Sequence, residues 1–335
     1  MTSPDGNLFQ QQEANRRRTT WLVIGFVLFF AWLGFGGDFL WSLEGQHPFP
    51  WLGVILTIVA IIGVRYAYQT GPEKVLWATG AQELVNPQTD GERQLMNVVE
   101  EMSIAAGLPR PRVWIVPDDD PNAFATGHDP RDAQIAVTRG LLTLCTRDEL
   151  QGVIGHELGH VKNLDVRLMT TLAALVGAVL LVRDGVGRMM GAGFPSRGSR
   201  GGGTRKGKDQ GPLLAILLAL WILSWLIAPL VTQLLAFAVS RRREYLADAM
   251  SAQFTRNPLA LASALEKIES AAAPTTSIKR GAAHLCIADP LGRRFTNHEG
   301  WLADTLATHP PMSMRISRLK GMGYAQLKKE GGLTV

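Results

Sequence analysis

Four long apolar stretches separate segments of mixed character along this chain. Residues Thr19 to Gly37 and Pro48 to Val64 carry no charged side chain, and each is near the length needed to cross a hydrocarbon core of about 30 Å at 1.5 Å per residue. Two further runs, Leu168 to Val182 and Pro212 to Val239, predict a second hydrophobic hairpin. The segments between them have the periodicity of a folded domain. Gln94 to Ala106 reads as an amphipathic helix ended near Gly107-Leu108-Pro109, and Arg112 to Val116 as a short strand. Ala123 to Thr126 and Gln134 to Thr138 form a hairpin with a loop longer than the tight two-residue type. From Arg147 to Asn163 the apolar residues Leu150, Val153, Ile154, Leu158 and Val161 recur at helical spacing, with Thr146 as N-cap and Glu149 in the capping-box position. One face of this helix is expected to be buried. Pro258 to Glu269 and Met312 to Met322 are helical by period, and no internal repeat is visible.

Charge gives this pattern an orientation. Of 335 residues 46% are hydrophobic and the formal net charge is +5, with mean hydropathy +0.07. Arg16, Arg17 and Arg18 precede the first apolar run and Arg65 follows the second, while Asp38 to His47 between them contains no Lys or Arg. By the positive-inside rule the amino terminus and everything after Arg65 face the cytoplasm. No A-x-A-like site follows the first run, so a retained anchor is expected. The loop of the second hairpin, Gly185 to Gly211, is Gly-rich and basic, with Arg188, Arg197, Arg200, Arg205, Lys206 and Lys208. Such a loop resists translocation. The hairpin therefore either spans against that rule, the reading favoured slightly here, or dips partly into the bilayer. The basic balance sits beside apolar spans without a nucleic-acid motif, so the lipid surface explains it and nucleic acid does not. Cys145 and Cys286 are the only cysteines; in a cytoplasmic region they should stay reduced, Cys145 as a small core residue. Asp118, Asp119 and Asp120 read as a solvated turn, since no further spacing supports a Ca²⁺ cage.

The chemistry is concentrated in His156-Glu157-Leu158-Gly159-His160. Residues four apart share a helix face, so both imidazoles can reach one Zn²⁺, and Glu157 is placed to take a proton from an attacking water. Downstream, Glu244-Tyr245-Leu246-Ala247-Asp248 sets two carboxylates four apart. Glu244 could complete the ligand set, and Asp248 could accept a hydrogen bond from a ligand histidine and fix its ring. Taken alone this segment would be a solvated acidic face beside Arg241 to Arg243; paired with the upstream motif it reads as part of a site. Three protein ligands with an open position are the coordination of a catalytic zinc rather than a structural one.

Several linked motifs then resemble a known family, the HtpX-type membrane zinc metallopeptidases, relatives of the CAAX prenyl endopeptidase. The resemblance runs from about Glu92 to Leu319. It rests on Pro121-Asn122-Ala123-Phe124-Ala125-Thr126-Gly127, the run from His156 to Asp165, the segment from Glu244 to Asp248, and Thr308-His309-Pro310-Pro311 with Arg315. It implies an α+β, mostly helical membrane protein with a zincin-type (gluzincin) catalytic domain, a small β-sheet and two to four transmembrane helices. It further implies one Zn²⁺ per subunit on His156, His160 and Glu244, with Glu157 as general base and His309 and Arg315 near the oxyanion. In related zinc peptidases an edge strand pairs with the extended substrate, and Gln134, Ile135, Ala136, Val137 and Thr138 are the candidate here.

The expected organisation is 1–65 for the tail and two transmembrane helices, 66–167 for the first part of the catalytic domain, 168–239 for the hairpin and 240–335 for the second part. The implied function is endoproteolysis of polypeptides at the bacterial inner membrane, in quality control or stress response, with the catalytic domain in the cytoplasm. The alternatives are a processing protease of protein termini and a silent zinc-binding scaffold. The oligomeric state is not readable from the chain.

Overall fold

The computed structural model describes residues 8–42, 49–175, 241–271, 285–287 and 310–329. The second hairpin beyond residue 175, its basic loop, and His309 lie outside the described residues. The chain groups into two units, one made of Met1–Thr20, Gln69–Ala174 and Leu235–Val335, the other of Trp21–Tyr68 and Leu175–Leu234.

The second unit holds the first long helix from Trp21 onward and the second as far as Tyr68. Helix α1 covers Leu8–Ser42 and α2 covers Trp51–Ala78. Each is long and apolar enough to cross a membrane, and the apolar windows are only 11% and 22% buried within the protein. Surfaces so apolar and so little covered by protein suit a lipid environment. Within this unit the helices approach closely at two glycines, where a Cβ on Gly34 would lie 2.6 Å from Gly53 Cα. Asp38 supplies the start of α2 with acceptors: Gly53 N–H donates to Oδ2 at 2.6 Å and Leu52 N–H to Oδ1 at 3.2 Å. Amide groups left over at a helix start are thereby satisfied.

The first unit is built around a four-stranded sheet. β1 (Gln82–Glu83), β2 (Arg112–Val116), β3 (Ala123–Thr126) and β4 (Gln134–Thr138) lie in the order β1-β2-β4-β3. β3 and β4 pair antiparallel, as a hairpin should, while β2 and β4 run parallel. Helix α3 (Asp90–Ala106) starts at a capping box between Thr89 and Glu92 and stops at Gly107, whose φ of 68° is the left-handed conformation a glycine adopts without penalty. After the short α4 (Arg139–Leu144), Thr146 and Glu149 form the expected capping box of α5 (Arg147–Lys162). A helical stretch over residues 165–175 follows, and later in the chain come helices α6 (Arg241–Thr255), α7 (Pro258–Ser270) and α8 (Met312–Lys329).

Two sequence expectations need correction here. Helix α5 is buried almost all round, not on one face: every residue from Gly152 to Val161 is buried. Leu150, Ile154 and Leu158 lie in the main core with the sheet and α3, each contributing about 1.5–3 kcal/mol relative to exposure. The opposite side is made of glycine. A Cβ on Gly152 would lie 2.9 Å from Leu261 Cα, one on Gly155 3.0 Å from Ser251 Oγ, and one on Gly159 3.1 Å from Ala247 Cα. These three positions let α6 and α7 close on the helix that carries the motif. The second correction concerns the Asp118–Asp120 turn, where Asp118 and Asp120 are buried rather than solvated; Asp118 Oδ1 accepts from Asp120 N–H at 3.0 Å.

Candidate metal centre

His156 and His160 stand one turn apart on α5, and Glu244 faces them from the buried stripe of α6 formed by Glu244, Ala247, Asp248 and Ser251. Their donor atoms all lie within 4.8 Å of one another, and all three side chains are buried. The ring Nε2 atoms are 3.2 Å apart. Glu244 Oε1 lies 3.5 Å from His160 Nε2, and Oε2 lies 3.7 Å from His156 Nε2. Ligands on a tetrahedral zinc with bonds of about 2.0–2.2 Å are separated by about 3.3–3.6 Å, so the spacing fits.

The partners of the other ring nitrogens sharpen this fit. His156 Nδ1 is 2.9 Å from Asp248 Oδ1, and His160 Nδ1 is 3.1 Å from Asp165 Oδ2. A ring that donates its Nδ1–H to a carboxylate presents a bare lone pair at Nε2. Two such lone pairs facing each other at 3.2 Å repel unless a cation or a proton lies between them. The titration of the pair reflects this conflict. Burial and the neighbouring Arg315 charge push His156 down to about 4. Burial also acts downward on His160, but the Asp165 hydrogen bond and the charges of Glu244, Asp165 and Glu157 bring it up to about 9.

Asp165 reaches His160 because the chain turns sharply after α5. Leu164 has a φ of 58°, a left-handed conformation that costs a residue with a Cβ roughly 1–2 kcal/mol, and helix resumes over residues 165–175. Sequence reading placed Asp165 within the motif but gave it no role, because a left-handed leucine leaves no compositional signal. Asp248 does lie against His156.

Glu157 is buried beside the cluster, and its Oε1 has no hydrogen-bond partner among the described residues. Burial pushes its carboxyl up to about 7; His160 opposes the shift, Glu244 adds to it, and the Ala125 backbone hydrogen bond opposes it.

Arg315 stands against the cluster, with Nη2 3.3 Å from His156 Nδ1 and 3.4 Å from His156 Nε2. Its side chain is fully buried, with Nε 3.0 Å from Asp248 Oδ2 and Nη2 2.7 Å from Oδ1, a two-pronged grip. Nη1 donates to Ile287 O at 3.0 Å and lies 3.4 Å from Glu244 Oε2. The paired charge holds Asp248 at about 2, against the upward effect of burial, and raises Arg315 itself.

The proposed substrate strand is also corrected. β4, from Gln134 to Thr138, has both edges occupied, by β2 on one side and β3 on the other. The outer strand on the Glu157 side is β3. Part of its edge is covered, since Cys286 bridges Phe124 and Ile287 N–H donates to Ala123 O at 2.9 Å. Cys145 and Cys286 are buried and not joined in a disulfide, and burial pushes the Cys145 thiol up to about 12, as suits an inert core residue.

Comparison with known proteins places the chain in a family. The model for Peptidase family M48 matches residues 89–323. A Protease HtpX homolog of Dictyoglomus turgidum is 38% identical over 328 residues, covering 96% of this chain and 98% of that protein. One from Streptococcus gordonii is 37% identical over 318 residues, covering 94% and 100%. Among solved structures, Ste24p of S. mikatae aligns with a TM-score of 0.43 at 18% identity, covering 93% of this chain and 66% of that one. With its family model matched over most of its length and relatives aligned nearly end to end, the chain belongs to peptidase family M48 and is an HtpX-like membrane metallopeptidase.

Proposed function

We propose that His156, His160 and Glu244 hold one Zn²⁺ and that Glu157 is the general base of an endopeptidase acting on polypeptides at the cytoplasmic face of a bacterial inner membrane, in membrane-protein quality control. The observation that carries this reading is the pair of Nε2 atoms 3.2 Å apart, each on a ring whose Nδ1 lies against a buried carboxylate. Zinc, when bound, supplies Lewis acidity, lowering the pKa of a water toward about 7 and polarising the scissile carbonyl.

The chain's own groups do the rest. Glu157, buried beside the cluster, can take a proton from the attacking water and hand it to the leaving amine. Asp248 and Asp165 hold the two imidazoles in the tautomer that leaves Nε2 as ligand, and Arg315 clamps Asp248. Beside Glu157, Ala125 on the outer edge of β3 can pair with an extended chain in place of β4. Backbone pairing of this kind tolerates many sequences, which suits a protease that removes damaged proteins. His309, outside the described residues, remains the proposed donor to the oxyanion. The cytoplasmic orientation is supported by the arginines flanking the two spans.

Metal analysis tests the ligand set. Purified in mild detergent, the wild type should hold about one Zn²⁺ per chain, and His160→Ala and Glu244→Ala should lose it. Zinc retained at wild-type affinity by Glu244→Ala would remove Glu244 from the set.

A further inference from the structure

Helix α1 begins well before its apolar run, and the face of its first turns that carries Asn15 and Thr19 is buried while Arg16, Arg17 and Arg18 are exposed. Asn15 is 3% exposed. Its Nδ2 donates to Asp165 Oδ1 at 2.7 Å and to Asn163 O at 3.0 Å. One turn earlier Gln12 Nε2 donates to Lys162 O at 2.7 Å. Both residues thus serve carbonyls at the end of α5 that no helical amide can reach. Asn15 does something more, because it also binds the carboxylate that orients a ligand histidine.

We propose that Asn15 is a positioning residue of the metal centre, acting through Asp165 on His160. Asp165 has no exposed surface, and a carboxylate so buried needs a donor at each oxygen. Oδ2 faces His160 Nδ1 and Oδ1 receives Asn15. Arg243 stands farther off, with Nη1 3.9 Å from Oδ1. The Asn15 amide therefore fixes the plane of the carboxylate, and with it the ring orientation that keeps His160 Nε2 toward Glu244. Because the same helix continues into the first apolar run, the centre is completed by a segment that belongs, in sequence, to the membrane anchor. The inference rests on the ligand set proposed above.

The test uses the full chain in detergent and measures zinc affinity by competition with a chelator. Asn15→Ala should weaken zinc binding by about 10-fold, the lower end of what loss of such supporting contacts costs. Gln12→Ala, which removes a neighbouring cap without touching Asp165, should stay close to wild type. In the double variant Asn15→Ala/Asp165→Asn the loss should be no greater than in Asp165→Asn alone, since coupled residues are not additive. Wild-type affinity in Asn15→Ala, an equal loss in Gln12→Ala, or additive losses in the double variant would each overturn the proposal. Should Asn15→Ala fail to fold, Asn15→Ser, too short to bridge both acceptors, is expected to bind several-fold more weakly, and wild-type affinity there would overturn it as well. A wild-type chain without zinc would instead overturn the ligand assignment, before any change at Asn15.

Discussion

Arg315 has no exposed surface, and a guanidinium buried to that degree is tolerable only when its charge is matched. Asp248 matches it with two hydrogen bonds and in turn faces His156. The family resemblance implied a place near the oxyanion; the hydrogen bonds to Asp248 add a second role, as a clamp on the carboxylate that faces His156. The two roles separate experimentally. Arg315→Ala should lower zinc affinity by about 10–100-fold, whereas loss of an oxyanion donor alone would cut kcat and leave zinc in place. Titration of Glu157 gives a second check. Its carboxyl must be ionised to act as base, so activity falls as pH drops through its pKa. Burial raises that pKa from 4.5 to about 7, and bound zinc, being positive, favours the carboxylate and moves it back. The acid limb of kcat/KM should therefore lie between these two values, and an acid limb well above 7 would assign it to another group.

Helix α5 concentrates the fold and the site in sixteen residues. Its boundaries, capping box and paired histidines were all legible in the sequence, because each depends on chemistry within one turn. The hairpin of β3 and β4 was legible too. The position of β4 was not, since the parallel partner β2 is brought in by the tertiary fold and leaves no mark on Gln134 to Thr138. The glycine face was missed for a related reason: a pattern of apolar residues cannot show that Gly152, Gly155 and Gly159 mark a second packed surface. That surface predicts a selective sensitivity. Gly159→Val would drive its side chain into Ala247 and should destabilise the protein by about 1–3 kcal/mol as an overpacked core position. Gly91→Ala, which meets nothing within 4 Å on α3, should leave stability unchanged or slightly raised. Thermal unfolding in detergent compares the two, and equal midpoints would contradict close packing of α5 on α6.

At the scale of the whole chain, the His156, His160 and Glu244 cluster draws on segments far apart in sequence, with α5 and α6 separated by the second pair of apolar runs. Neither half carries all three of His156, His160 and Glu244, so the cluster forms only when α5 and α6 pack together. The two described spans were read from hydropathy alone, and α2 runs past the predicted Val64 to Ala78, because polar residues extend a helix beyond its apolar part without altering the hydropathy signal. The most direct measurement is a comparison of wild type and Glu157→Gln for bound zinc and for cleavage of an unfolded polypeptide. The substitution leaves every ligand untouched and removes only the base. The account predicts wild-type zinc content with nearly all cleavage lost in Glu157→Gln, and cleavage by the wild type that a chelator abolishes and added zinc restores. A Glu157→Gln chain that cleaves as fast as wild type would contradict it.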